Sequence, residues 1–268
     1  MINRNRVKVI IFKDLLEMKN DKATFIPLLI FPLIFSVFLP LVLLLGGINN
    51  PFTKGDMRAF VENMQATIIP KGLPTGTEGV YAILLFFLLP LFMTIPVILS
   101  TVLASSSFVG EKEKKTLEGL LYTPVTNKEL LLSKILAAAL PSMIITWISI
   151  FIYGVLLDSF GYVIFERLVF PSWDWIVMGG LIAPLLTFLS ITLVVVISQK
   201  AKTMKSAQSV SIIIILPIIA FVSSQASGLL LINVYLELLF ALFLLITDVI
   251  LLHVIAKKMN RENLVLHA

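Results

Sequence analysis

Three stretches of the chain, 24–45, 81–109 and 175–198, carry no charged side chain, and a fourth, 130–157, carries only Lys134. A hydrocarbon core about 30 Å thick is crossed by about 20 helical residues, so each stretch is long enough to span a membrane. Backbone amides and carbonyls find no water there and must bond within their own segment, which makes these spans helices. After Lys205 the 51 residues 206–256 contain no basic residue. At about 1.5 Å per residue that length allows two crossings and a tight turn. The turn falls at Gln225–Ala226–Ser227–Gly228 and predicts spans over 207–225 and 232–256. The chain therefore reads as all-α: a polytopic membrane protein with six transmembrane helices, in a single domain, 1–268.

Composition agrees with this reading. Of 268 residues 58% are apolar and 14% charged, where a soluble domain has about 25% charged. A soluble enzyme, a secreted scaffold and a disordered chain are all excluded. With no cysteine, disulfides, zinc ribbons, iron–sulfur clusters and thiol nucleophiles go too. The net charge of +5 lies between the apolar runs, which marks topology and not a nucleic-acid face.

Lysine and arginine collect on the cytoplasmic side of membrane proteins. The first 22 residues hold six of them, 109–134 five, 199–206 three and the tail after Ala256 three. The opposite side holds only Lys54, Arg58, Lys71 and Arg167. Both termini are thus expected in the cytoplasm of a multi-pass plasma-membrane protein. The first span is too long for a signal-peptide core and ends Leu45–Gly46–Gly47 without a small-residue cleavage pattern, so it is expected to stay as an anchor. Eight prolines (27, 32, 40, 90, 96, 141, 184 and 217) lie within spans. They release carbonyls and bend helices, which neighbouring helices must make good.

Catalytic chemistry has little to stand on. No glycine is followed by lysine, so there is no P-loop. Two histidines, His253 and His267, form no metal-binding pattern, and no paired carboxylates in a span have ligand spacing. No catalytic residue, metal or cofactor is assigned to this chain. Asp248, nine residues before Lys257, lies at membrane depth and is the intramembrane polar candidate; Glu237 is nearer the outer interface.

The informative segment is 110–124, predicted as a short helix. Charges fill 111–115, and Leu117, Leu120 and Leu121 form a narrow apolar stripe before Pro124 stops the helix. Thr126 and Glu129 then make a capping box that starts the third span. Near the N-terminus, 5–20 is predicted as an amphipathic surface helix, with Val7, Ile11, Leu15 and Met18 apolar and Lys13, Glu17 and Asn20 opposite.

Glu111-Lys112-Glu113, Thr116-Leu117-Glu118, Leu120-Leu121, Pro124 and Lys134 together resemble the signature of permeases of the type-2 ABC exporter family. Lys13 through Lys22, followed by Pro27 and Pro32, is similar to that family's elbow helix. The resemblance implies that 110–124 is the coupling helix seating on a cytoplasmic ABC ATPase, with Lys200, Lys202 and Lys205 as a second coupling loop. It also implies two ATPase copies, carrying ATP and Mg, and a second permease copy or paralogue in the bilayer. Lys115 and Ser133 stand where the family commonly has glycine. The expected function is ATP-driven export of an amphipathic or hydrophobic substrate, a peptide or drug, along a path to which Phe86, Phe87 and Phe92 contribute. The competing readings are an ion-gradient-driven secondary transporter, a sodium-extruding permease and a non-transporting membrane partner.

Overall fold

A computed structural model describes residues 3–46, 70, 72–74, 77–113, 125–201, 203–226 and 234–258. Those residues contain helices and no strand. Helix α1 is Arg4–Asn20 and α2 is 22–46. Helix α3 is Glu78–Glu113, α4 Asn127–Phe165 and α5 Trp173–Ser198. The chain closes with α6 (Met204–Gln208), α7 (Val210–Ala226) and α8 (Val234–Lys258).

Five of these (α2, α3, α4, α5 and α8) are long and apolar enough to cross a membrane. The predicted span 207–225 falls on α6 and α7, which a turn at Ser209 separates; Thr203 caps α6, and α7 is described over Val210–Ala226. The helix that carries the predicted third span, 130–157, runs on to Phe165. Of the break at 225–228, Gln225 and Ala226 still belong to α7, while 227–228 and most of the outer loop after α2 lie outside the described residues.

Helix α3 forms the centre of the bundle. Of its most apolar stretch 72% is buried, against 28% for α2 and 22% for α8. It packs on α4, α5 and α7, while α8 lies against α5 and α1 lies along α4. The peripheral spans leave large apolar side chains such as Ile30, Phe151, Ile213 and Phe243 exposed, as lipid-facing surfaces require.

The prolines leave a consistent trace. Wide π-turns occur at Ile34–Phe38, Ile83–Phe87 and Met178–Ile182, ahead of Pro40, Pro90 and Pro184. In the last of these the Ala183 amide donates to Met178 O and Pro184 has no N–H, so Gly179 O has no donor in its own helix. Trp147 Nε1, from α4, donates to it at 2.9 Å. The same arithmetic holds in α3. The Leu88 amide donates to Ile83 O and Pro90 has no N–H, so one amide, from Leu89, remains for the carbonyls of Leu84 and Leu85. Tyr153 Oη donates to Leu84 O at 2.5 Å and Trp175 Nε1 to Leu85 O at 3.2 Å. Aromatic donors on neighbouring helices thus satisfy carbonyls that the prolines strand.

Those donors belong to an aromatic core. The rings of Tyr153 and Trp175 stack at 4.8 Å, and Phe92 meets both at 4.7 and 5.0 Å. Phe170, in the connection after α4, closes the group at 5.8 Å from Trp175. Its ring lies on Gly154, where a Cβ would come within 2.3 Å of Phe170 Cδ1. Gly154→Ala is therefore expected to expel Phe170 and cost about 1–3 kcal/mol by overpacking. Thermal unfolding in mild detergent checks this, and an unchanged midpoint would contradict it.

Candidate functional site

The charged residues flagged in the sequence converge where α3 ends. Helix α1 begins with Asn3 accepting from the Asn5 amide, and α4 begins with the expected capping box. In that box the Glu129 amide donates to Thr126 Oγ1 at 3.3 Å and the Thr126 amide to Glu129 Oε2 at 2.9 Å. The other Glu129 oxygen accepts from the Asn3 amide at 2.7 Å, so one carboxylate ties the starts of α1 and α4. From these anchored ends Lys13 and Asp14 of α1 and Lys134 of α4 reach the last turns of α3.

Glu111 sits at the middle of the cluster, 4% exposed. One of its oxygens accepts from Lys13 Nζ at 2.6 Å and the other from Lys134 Nζ. Lys134, itself 2% exposed, also donates to Ser107 O and lies over the Phe108 ring at 5.5 Å. Ser107 Oγ donates to Asp14 Oδ2 at 2.6 Å. This stretch of α3, Ser106–Gly110, is a fourth π-turn, with no proline behind it. Here the Lys134 ammonium enters the carbonyl ladder, one of the ways in which a helix is widened.

The next two residues reach the other way. Lys112 Nζ donates to Ser198 O at 3.3 Å, satisfying a carbonyl at the C-terminus of α5, where a cation also suits the helix dipole. Glu113 Oε2 accepts from the Met204 amide at 2.9 Å, at the start of α6. Gly110 permits this approach, since a Cβ there would lie 3.2 Å from Met204 Sδ. Three consecutive residues, Glu111, Lys112 and Glu113, thus hold α1, α4, α5 and α6 to the end of α3.

Two groups outside the spans are shifted by this packing. Burial pushes the Asp14 carboxyl above its usual 3.8, despite the opposing pull of Lys134 and the Ser107 hydrogen bond. Burial works against the Lys13 ammonium, but the hydrogen bond and charge of Glu111 more than offset it and leave Lys13 above 10.5. A carboxyl raised on folding binds more protons in the native state, so stability falls as pH rises from 3.8 to the raised value. Measured against Asp14→Asn, the native chain should gain stability as pH is lowered through that window and level off below it. A melting series in detergent with the opposite slope would refute this.

Asp14, Glu17 and Glu111 come close enough to suggest a metal site. The ammonium groups of Lys13 and Lys134 already occupy that space, with Lys13 also 3.3 Å from Glu17.

Thr116, Leu117, Glu118, Leu120, Leu121 and Pro124, and with them most of the segment 110–124, lie outside the described residues, as does Lys202. Lys200 and Lys205 are exposed. Asp248 is 5% exposed and Glu237 2%, on one face of α8 with Ala241 and Leu244, and their carboxylate oxygens have no hydrogen-bond partner among the described residues. Of the three phenylalanines, Phe92 is locked in the aromatic core, while Phe86 and Phe87 are half-buried.

Sequence reasoning missed Asp14, Ser107 and the Glu129–Asn3 link. It also assigned the faces of α1 differently. The buried positions are Val7, Ile10, Asp14 and Met18, packed against the bundle, while Ile11 and Leu15 are only half-buried. An acid on the 7-10-14-18 stripe was the available signal for a buried partner.

No curated protein and no solved structure matches the chain. Residues 9–238 match the family described as ABC-2 family transporter protein, a span that covers α3, the charged cluster and, but for the first residues of α1, the helices flanking it. The chain is a multi-pass membrane protein of the ABC-2 transporter family, a transporter component and not itself a catalyst.

Proposed function

We propose that this chain is the permease subunit of an ATP-driven exporter, moving an amphipathic or hydrophobic peptide or drug with the energy of a separate cytoplasmic ATPase. The observation that carries the reading is the end of α3. A helix of 36 residues is about 54 Å long, well beyond a core of about 30 Å. Its last residues are bonded to α1, α4, α5 and α6, so a force applied to 114–124 reaches four helices at once. In this reading 110–124 is the coupling helix, Lys200–Lys205 a second contact, and the charged end of the bundle faces the cytoplasm. Two ATPase copies, binding ATP and Mg, serve two permeases in the bilayer. The family membership and the lack of a P-loop in the sequence both support an energy source on another chain.

The test is reconstitution with a separately encoded ABC ATPase. Vanadate-sensitive ATP hydrolysis should rise when this chain is present, and Glu113→Ala should weaken the stimulation several-fold. Transport by this chain alone in an ion gradient would overturn the proposal. In the same reading α7 is the sixth crossing. Lys205→Cys and Gly228→Cys, each the only thiol in a cysteine-free chain, should then react with impermeant reagents from opposite sides. Labelling from the same side would remove that crossing.

A further inference from the structure

Helix α1 has two apolar faces. The buried one, Val7, Ile10, Asp14 and Met18, meets the bundle, mainly α4. At 100° per residue the second face, Val9, Phe12 and Leu16, lies diametrically opposite. It is open: Val9 is 68%, Phe12 64% and Leu16 43% exposed. Water is not its natural neighbour, and its place in the chain says what is. A single residue, Asp21, separates α1 from the membrane-spanning α2, whose Ile26, Ile30 and Leu33 are exposed to lipid. The helix is thereby held at the level of the headgroups.

The charges around this face are one-sided. Lys8, a turn before Phe12, and Lys19, three residues after Leu16, border one edge, with Arg4 a turn further back. All three are exposed, and none forms an ion pair among the described residues. The acids of α1 are elsewhere: Asp14 is on the buried face, and Glu17 is paired with Lys13 at 3.3 Å. An apolar stripe with an unneutralised basic edge selects an anionic surface over a zwitterionic one, because the stripe enters the acyl boundary while the ammonium groups meet headgroup phosphates.

We propose that the Val9–Phe12–Leu16 face of α1, with Lys8 and Lys19 at its edge, is a docking surface for anionic lipid. The docked lipid is a third neighbour of α1, besides α4 and the end of α3, so the headgroup composition of the leaflet acts on the same helix that holds Glu111. The proposal stands independently of any ATPase.

The full-length chain carrying Phe12→Cys, its only thiol, is labelled with an environment-sensitive fluorophore and reconstituted in phosphatidylcholine vesicles. Acyl-brominated phosphatidylglycerol is compared with acyl-brominated phosphatidylcholine at equal mole fraction. The expected result is quenching by the anionic lipid about twofold greater than by the zwitterionic one. Lys8→Gln with Lys19→Gln should bring the two to parity while leaving quenching itself in place. Leu16→Cys, on the same face, should give the same ratio, which guards against a local effect of one label. Equal quenching by the two lipids overturns the proposal. So does the absence of quenching by either, or loss of quenching when a soluble ATPase is added, which would mark the face as a protein contact.

Discussion

Lys134→Met is expected to destabilise the protein by about 3 kcal/mol, because breaking a buried ion pair from one side strands the other charge. The cost falls at the low end of the range for such pairs for a reason visible in the geometry. Glu111 keeps a second cation, Lys13, at 2.6 Å, so it is not left wholly unpaired. Asp14 loses its nearest buried compensation, and Ser107 O loses a donor. Lys13→Met should cost less, below about 1 kcal/mol, because its side chain is 37% exposed and solvent screens the pair. The decisive comparison is the double variant Lys134→Met with Glu111→Gln. It should recover part of the loss, since a neutral amide tolerates burial where a bare carboxylate does not. Unfolding midpoints in mild detergent of the native chain, Lys134→Met, Glu111→Gln and the double variant close the cycle. Additive single effects would mean that the two side chains do not act as a pair.

Trp175→Ala is expected to cost about 3–5 kcal/mol, the range for truncating a large buried aromatic. Trp175 is 1% exposed and touches Tyr153, Phe92 and Phe170, so little of the space it leaves can be filled by collapse. Trp175→Phe separates packing from hydrogen bonding. It keeps a ring but removes the donor to Leu85 O, and should cost about 1 kcal/mol. A Phe variant as damaged as the Ala variant would show that the stranded carbonyl outweighs the ring. A Phe variant equal to the native chain would show that the Leu89 amide suffices for Leu85 O while Tyr153 serves Leu84 O.

Most of the architecture is legible in the sequence because the bilayer imposes a length that apolar runs must meet. Helices α2, α3, α5 and α8 fall on the apolar runs read as spans, and the Thr126–Glu129 capping box forms as its spacing predicts. What escapes is what depends on partners far apart in the chain. Ser209 looks like an ordinary polar residue in 207–225, yet a turn there parts α6 from α7. Asp14 reads as one more charge of an amphipathic helix, and only the approach of Ser107 and Lys134, 93 residues and more away, turns it into a buried group. The prolines are legible as breaks, but not the identity of the donors that repair them. Trp147, Tyr153 and Trp175 have no sequence signature that links them to Gly179, Leu84 and Leu85.

Helix α3 is held at one end by the ionic grip on Glu111 and at the other by the aromatic donors to Leu84 and Leu85, 27 residues or about 40 Å apart. Between them, at Met93, the regular ladder is interrupted, and the Met93 amide donates to Pro90 O instead. Such an element is a beam clamped at both supports with a notch near one of them. It cannot slide without releasing a support, so a load at the charged end is relieved either by flexing at the notch or by letting go of the aromatic end. The stiffness of the transporter is therefore set less by the span itself than by which of those two yields first.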